Sequence, residues 1–129
     1  MLEERPFEVL FVDDDAQLRE ANTESLELEG IRTHPMPDAE SALARIDRHF
    51  AGVVVSDIRM PRIDGLQLLE RVRAIDAEIP VILITGHGDV PMAVEALRDG
   101  AFDFITKPFG ADHLIASVRR AIERRRLVL

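Results

Sequence analysis

Aspartates directly follow two of the apolar runs in the sequence. Asp13, Asp14 and Asp15 follow the run EVLFV, and Asp57 follows the run GVVVS. Two carboxylates about 4 Å apart repel each other by roughly 4 kcal/mol at an effective dielectric constant near 20. A hard divalent cation offsets such repulsion, and Mg²⁺ prefers one or two carboxylates together with waters and a phosphate oxygen. The aspartates therefore predict a magnesium site at which Asp57 can act as a nucleophile toward a phosphoryl group.

A hydroxyl and an ammonium group occupy similar positions after two later apolar runs. Thr85 ends the run VILIT, and Lys107 directly follows the run FDFIT. Donors of this kind bind phosphoryl oxygens in phosphoryl transfer. Each residue also has an ordinary structural alternative, because an aspartate after a strand is usually a helix cap or a turn former and a lysine is usually solvated. For Asp15 we predict only the capping role.

Five short apolar runs set the positions of these residues. They predict strands at 8–12, 31–34, 52–56, 81–85 and 102–106, and segments with helical periodicity separate and follow them. This strict alternation predicts an α/β fold, (βα)₅, with a doubly wound parallel five-stranded sheet and helices on both faces. Ligands of such sheets bind outside the carboxyl ends of the strands, so the polar residues named above are expected to converge.

The helices are predicted from apolar spacing and from residues that begin or end helices. Asp38 and Asp89 are expected to be N-caps, and Gly30 and Gly100 are expected to end the helices before them. The expected apolar faces are Leu18, Ala21, Ser25 and Leu28; Ala39, Ala42, Leu43 and Ile46; Leu68, Leu69 and Val72 in a helix over about 66–75; Ala93, Val94, Ala96 and Leu97; and Leu114, Ile115, Val118 and Ile122.

The composition limits the class of protein. A chain of 129 residues forms one domain, and its formal net charge of −8 argues against a nucleic-acid surface, which needs a positive footprint. The absence of cysteine excludes disulfides and thiolate metal sites. No apolar run approaches the roughly 20 residues of a membrane span, and the amino terminus MLEERPFE lacks the order of a signal peptide. A cytoplasmic protein without membrane contact is expected.

Four motifs in order, VDDD, SDIRMPRIDG, TGHGD and DFITKPF, resemble the receiver domain of two-component response regulators. The resemblance covers essentially the whole chain and implies a fold similar to CheY and flavodoxin with strand order 2-1-3-4-5. It implies a signalling switch, phosphorylated by a sensor histidine kinase, that catalyses its own phosphorylation and dephosphorylation and is not a conventional enzyme. It also assigns roles: Asp57 as phosphoacceptor, Asp14 as direct Mg²⁺ ligand, Asp13 as a ligand mainly through water, the Arg59 carbonyl as a further ligand, Thr85 as switch hydroxyl, Lys107 before a cis Pro108, Phe104 as rotating aromatic switch, and Arg59 and His87 as residues that tune the phosphoryl lifetime.

The wording of these motifs further resembles regulators of the nitrogen-regulatory and C4-dicarboxylate-transport type (NtrC/DctD). In that type the receiver is attached to an AAA+ ATPase, which activates alternative-sigma-factor transcription, and to a DNA-binding domain. Neither is present in this sequence, so we expect a fragment that controls such an output module. Phosphorylation is expected to change the face formed by the fourth helix, the last strand and the last helix.

The carboxyl-terminal sequence ADHLIASVRRAIERRRLVL is longer than a helix that only covers a five-stranded sheet, since it spans roughly 28 Å as a helix. We therefore predict a receiver core over residues 1–110 and a last helix over 111–129 that extends into a linker. Ile115, Val118, Ile122 and Leu129 keep helical spacing, which is typical of a seam between two copies in a homodimer. The alternative is a solvated tail whose arginines favour the helix end, and the acidic net charge disfavours DNA binding.

Two other functions share parts of this pattern. A haloacid-dehalogenase-like phosphohydrolase uses an Asp-x-Asp motif after its first strand, which Asp13 and Asp15 would satisfy, but it also needs a cap over the substrate and leaves Asp57 unexplained. A flavodoxin-like flavin carrier has the same topology, but its phosphate loop is glycine-rich and three aspartates would repel the phosphate. The sequence therefore favours the receiver.

Overall fold

Strands and helices alternate along residues 7–129, the part of the chain that the computed structural model describes. The strands of this part are β1 (Glu8–Val12), β2 (Arg32–Met36), β3 (Gly52–Asp57), β4 (Val81–Thr85) and β5 (Asp103–Thr106). Its helices are α1 (Ala16–Leu28), α2 (Ala39–Leu43), α3 (Gly65–Ile75), α4 (Val90–Arg98) and α5 (Ala111–Val128), with a 3-10 turn at His87–Asp89. The predicted (βα)₅ alternation is confirmed.

The strands form one parallel sheet in the order β2-β1-β3-β4-β5, which confirms the predicted fold class and strand order. The central strands β3 and β4 are buried along their whole length, because helices cover both faces and build a separate apolar core on each. Within residues 7–129, no helix is long and apolar enough to cross a membrane. Most of the stretch MLEERPFE, for which we expected no signal peptide, lies outside the described residues.

Two of the predicted N-caps are confirmed in the structure. The Asp15 carboxylate accepts hydrogen bonds from the amides of Gln17 and Leu18 at 3.0 and 3.1 Å and so begins α1. The Asp38 carboxylate accepts one from the Ser41 amide at 2.8 Å and begins α2. These bonds satisfy amides that have no partner within the helix.

The two glycines predicted to end helices have the expected backbone conformation. Gly30 follows α1 with a φ of 79°, and Gly100 follows α4 with a φ of 111°. Residues with a Cβ rarely adopt this left-handed region, so glycine stops both helices at little cost.

The apolar face predicted for α1 is wrong. Leu18 and Leu28 are 40% and 80% exposed, whereas Leu26 is fully buried. Arg19 and Thr23 are half-buried on the same side as Leu26. Polar residues occupy most of the inward face, and an apolar periodicity therefore selected the wrong side of the helix.

The boundaries of β2 and α2 also differ from the prediction. β2 covers 32–36 rather than 31–34, and α2 ends at Leu43. Ile46, predicted on the α2 face, lies beyond the helix but is still buried. The Ile46 amide bonds to the carbonyl of Leu43, three residues earlier, because the chain tightens into a turn there.

Small residues form the inward face of α4. Ala93 and Ala96 are buried, whereas Val94 and Leu97, which were predicted on the same face, are 41% and 39% exposed. α4 therefore packs on the sheet through alanines and leaves two branched apolar side chains at the surface.

The residues predicted to form a dimer seam on α5 are used within the domain. Ile115 and Val118 are buried in the core on one face of the sheet, and Ile122 packs half-buried against it. The helical spacing identified a contact face correctly but could not tell a core from a partner. These side chains do not offer an exposed seam in this conformation.

Gly65 begins α3 close to the backbone of β3, and its replacement by alanine is expected to destabilise the fold. A Cβ at this position would lie 2.4 Å from the carbonyl oxygen of Asp57 and 2.8 Å from Cα of Ile58, so backbone must move. Overpacking of this kind costs about 1–3 kcal/mol. Thermal unfolding measures the loss, and Gly88→Ala, where no atom lies within 4 Å, is the matched control. Equal stability of the two variants would contradict the close approach.

Candidate functional site

Three carboxylates meet at the carboxyl ends of β1 and β3. Val12 pairs with Ser56 across the two strands, so the residues that follow them, Asp13 and Asp57, lie side by side. One carboxylate oxygen from each of Asp13, Asp14 and Asp57 lies within 4.8 Å of the others. The sheet therefore brings together the aspartates that the sequence predicted as one cluster.

Asp13 is the most deeply placed of the three, with 2% of its surface exposed. Its Oδ1 accepts a hydrogen bond from the Asp15 amide at 2.9 Å. Burial raises the pKa of the Asp13 carboxyl above its ordinary value, and the Asp57 and Asp14 charges raise it further, while the Asp15 amide and the Lys107 charge oppose the rise. A bound cation would offset this cost of the charged form of Asp13.

Lys107 lies at the same edge of the sheet. Its Nζ donates to Oδ2 of Asp57 at 3.0 Å, although 50 residues separate them in the chain. Its backbone amide donates to the Thr85 carbonyl at 2.8 Å, and the peptide bond to Pro108 is cis, as predicted. The lysine therefore supplies a positive charge directly to the aspartate predicted to react.

Thr85 and Phe104 stand on the two strands beyond Asp57. Asp57 pairs with Ile84, so Thr85, the next residue of β4, lies just past Asp57 and is fully buried. Its hydroxyl donates to the Gly86 carbonyl at 3.0 Å. Phe104 on β5 is half-buried against the core. In this arrangement the Thr85 hydroxyl is held by its own loop.

The Arg59 guanidinium binds Asp89 with two short hydrogen bonds. Nη2 lies 2.7 Å from Oδ1 and Nε lies 2.9 Å from Oδ2. This contact joins the loop after β3 to the turn before α4, which also carries the exposed His87. Asp89 is the N-cap residue of α4, as predicted, but its side chain does not cap the helix, because the carboxylate binds Arg59. The arginine lowers the pKa of the Asp89 carboxyl.

Arg19 is a residue near the site that the sequence did not reveal. Its Nη1 donates to the backbone carbonyl of Asp13 at 2.8 Å. This contact places a second cation beside the acidic cluster without pairing it with a carboxylate there. An arginine in the first turns of α1 has no distinguishing sequence signal.

The chemistry of the donor set fits a hard divalent cation. Carboxylate oxygens are the ligands that Mg²⁺ prefers, and Asp13, Asp14 and Asp57 present them close together at one edge of the sheet. Asp14 is exposed at the mouth of the site, while Asp13 and Asp57 are buried. A cation could therefore enter from solvent and reach buried oxygens.

Asp15 does not contribute to this cluster. Its carboxylate points to the first turn of α1, where it accepts from the Gln17 and Leu18 amides. The Asp-x-Asp pair of a haloacid-dehalogenase-like site is therefore not assembled by Asp13 and Asp15.

Comparison with known proteins gives one family. The sequence profile of the response regulator receiver domain matches residues 9–119. The C4-dicarboxylate transport transcriptional regulatory protein DctD of Rhizobium meliloti (strain 1021) is 54% identical over 121 residues, which is 94% of this chain and 26% of DctD. The transcriptional regulatory protein FixJ of Bradyrhizobium diazoefficiens is 41% identical, over 90% of this chain and 57% of FixJ. This chain thus spans about a quarter of the length of DctD.

Solved structures agree with the sequence relatives. The receiver domain of NtrX from Brucella abortus has a TM-score of 0.81 and 43% identity, and the match covers 90% of this chain and 98% of that one. The residues that the profile matches contain the acidic cluster and, apart from Glu8, all five strands of the sheet. The chain belongs to the response regulator receiver domain family.

Proposed function

We propose that this domain is a phosphorylation-dependent switch of a two-component system, in which Asp57 accepts a phosphoryl group from a phosphohistidine of a sensor histidine kinase. The contact that carries the proposal is the one between Lys107 Nζ and Asp57 Oδ2 at 3.0 Å, inside a cluster of three carboxylates. An Asp57 oxygen forms a bond to phosphorus while the phosphorus–nitrogen bond breaks, and the imidazole nitrogen keeps the electron pair. The domain thus catalyses its own modification and is not a conventional enzyme.

Asp13, Asp14 and Asp57, with the Arg59 carbonyl, are the residues that would hold Mg²⁺. When bound, Mg²⁺ supplies positive charge that neutralises the carboxylates and the incoming phosphoryl group. Asp14 would offer its exposed carboxylate directly, and the buried Asp13 would act mainly through water. Lys107 neutralises the remaining charge at Asp57 from the other side.

Phosphorylation adds about one extra negative charge and three acceptor oxygens at the sheet edge. To bind one of these oxygens, the Thr85 hydroxyl must give up its present bond to the Gly86 carbonyl, which draws the loop before α4 inward. Phe104 lacks a hydroxyl, so its ring would follow the movement of Thr85 by becoming buried, without forming a hydrogen bond. Moving a two-state equilibrium from 1:99 to 99:1 takes about 5.5 kcal/mol, which a few charge-assisted hydrogen bonds can supply.

Arg59 and His87 are proposed to tune the lifetime of the phosphoryl group. His87 lies in the 3-10 turn next to Asp89, the partner of the Arg59 guanidinium. While the turn before α4 keeps its present position, the ion pair with Asp89 restrains the Arg59 side chain. The position of the turn would therefore affect how water reaches Asp57. The lifetime is therefore expected to depend on both loops together.

The output is proposed to lie outside this chain. DctD, which is 54% identical, is named a transcriptional regulatory protein, and this chain spans 26% of it. By analogy, the domain would control an AAA+ ATPase and a DNA-binding domain in the cytoplasm through the face of α4, β5 and α5. Val94 and Leu97 give that face exposed apolar surface, which favours them over Ile115 and Val118 as contacts in a homodimer.

Intact-mass measurement after incubation with acetyl phosphate tests the proposal. With Mg²⁺ the protein is expected to gain one phosphoryl group, and with EDTA in place of Mg²⁺ the gain should fall by at least about 100-fold, as when an electrostatic element of a reacting site is removed. Hydroxylamine should remove the group, because an acyl phosphate reacts with it. No gain in Mg²⁺, or a gain that hydroxylamine leaves intact, would contradict the proposal.

A further inference from the structure

The carboxyl-terminal end of α5 contains a buried arginine. Arg125 is 1% exposed, although it lies in the run RRR and only four residues before the end of the chain. It is six residues beyond the end of the receiver profile at residue 119. A buried arginine needs acceptors for its donors, and the structure supplies three.

The acceptors of Arg125 come from two separate parts of the domain. Nε donates to the Phe50 carbonyl at 3.0 Å and Nη2 to the Arg48 carbonyl at 3.1 Å, both in the loop between α2 and β3. Nη1 donates to Oδ2 of Asp76 at 3.1 Å, at the end of α3. We call these contacts of Arg125 with Phe50, Arg48 and Asp76 the Arg125 clamp.

The clamp joins α5 to α3, the helix whose first residue lies against the backbone of Asp57. α3 has 11 residues and is about 16 Å long. Its first residue, Gly65, lies close to the Asp57 carbonyl. Its C-cap residue, Asp76, accepts the hydrogen bond from Arg125. α3 therefore spans the domain from the phosphoacceptor edge to the end of α5.

The neighbouring arginines strengthen the attachment of this turn. The Arg124 guanidinium lies 5.6 Å from the centre of the Phe102 ring, and that of Arg126 lies 5.0 Å from the centre of the Phe7 ring. These are cation–π distances. The basic run thus contacts aromatic side chains of the domain itself. The exposed apolar residues that follow it are therefore attached to a turn whose position is fixed.

We propose that Arg125 is a positioning residue that fixes the direction in which α5 leaves the domain and ties that direction to α3. A guanidinium is suited to this task, because its planar fork bonds three acceptors in set directions, whereas an ammonium is a point charge on a flexible stem. Residues 111–125 then move with the receiver as one body. The direction of α5 is independent of the proposed function. Only the signal that this rigid unit would transmit rests on that function.

Distances between spin labels test the clamp without phosphorylation. The chain has no cysteine, so Leu127→Cys paired with Leu28→Cys gives two unique labels at positions that are 77% and 80% exposed. The otherwise unchanged protein is expected to give a narrow distance distribution. Arg125→Met and Arg125→Lys should both broaden it at least about twofold, because neither can bond three fixed acceptors. Asp76→Asn should broaden it less, since the two carbonyl bonds remain.

Arg120→Met is the matched control, because Arg120 lies on the same helix and makes an exposed ion pair with Asp103 at 3.2 Å. It should leave the width unchanged. An Arg125→Met distribution as narrow as the parent's, or one that Arg125→Lys restores in full, would overturn the proposal. Unfolding measured in parallel separates loosening of α5 from loss of the fold.

Intact mass after acetyl phosphate treatment separates this proposal from the proposed function. All Arg125 variants should gain the phosphoryl group at a rate within about twofold of the parent, because the clamp is at the opposite end of α3 from Asp57. A variant with a normal distance distribution and slow phosphorylation would contradict the positioning role. If the parent itself gains no phosphoryl group, the proposed function fails, and the distances still decide the clamp.

Discussion

Asp57→Asn is expected to abolish phosphorylation by acetyl phosphate in Mg²⁺ completely. The amide has nearly the shape of the carboxylate and can still meet Lys107 Nζ, which now lies 3.0 Å from Oδ2 of Asp57. It lacks the negative charge that makes the carboxylate oxygen a nucleophile toward phosphorus. Intact-mass measurement over a long incubation is the direct check, because even slow transfer to another group would accumulate.

Asp112→Asn is the matched control for this substitution. Asp112 is exposed in the first turn of α5, and its replacement removes the same charge away from the acidic cluster. It should be phosphorylated like the parent. If Asp57→Asn gained a hydroxylamine-labile group at the parent's rate while remaining folded, another carboxylate would be the acceptor, and the assignment of Asp57 would fail.

The sequence predicted the sheet and the acidic cluster because both depend on simple patterns. β1, β3 and β4 are continuous apolar runs that only a sheet covered on both faces accommodates. In a parallel sheet the residues that end such runs meet at one edge, so Asp13, Asp57 and Lys107 could be grouped without coordinates. Their distances, and the burial of Asp13, required the structure.

Side-chain partners that are far apart in sequence and do not follow strand ends could not be predicted. Asp89 had the residue type and the place of an N-cap, but Arg59, 30 residues earlier, takes its carboxylate with two hydrogen bonds. A local pattern cannot express competition between a nearby amide and a distant guanidinium. The error on α1 has a related cause, since Arg19 faces inward to reach the Asp13 carbonyl.

The last helix shows both the use and the limit of periodicity. Arg125 lies seven residues after Val118 and four after Ala121, which is the spacing of the buried face. Its charge suggested solvent instead. The same spacing grouped Ile115 with Val118 but gave no means to distinguish the domain's own core from a second copy.

Asp13→Asn is expected to make the metal-free domain more stable and to remove most of its response to Mg²⁺. Asparagine keeps an oxygen for the Asp15 amide, which now donates to Oδ1 at 2.9 Å. Because burial raises the pKa of the Asp13 carboxyl, its charged form at neutral pH favours the unfolded state, and removing that charge stabilises the fold. From the carboxylate repulsion we expect a gain of about 1–3 kcal/mol, or a rise in Tm of roughly 3–10 °C.

Thermal unfolding with and without Mg²⁺, at constant ionic strength, separates the two effects. Mg²⁺ at 100 times its Kd would stabilise the parent by about 2.7 kcal/mol through mass action, and Asp13→Asn should lose most of that gain. Asp15→Asn is the matched control, because asparagine caps a helix as well as aspartate does and Asp15 lies outside the cluster.

Since the unfolded chain also binds the proton below the ordinary aspartate pKa of 3.8, the stability advantage of Asp13→Asn over the parent should vanish below that pH. A metal-free Asp13→Asn less stable than the parent at neutral pH would show that the Asp13 charge is compensated within the domain, so that its burial does not prepare the site for a cation.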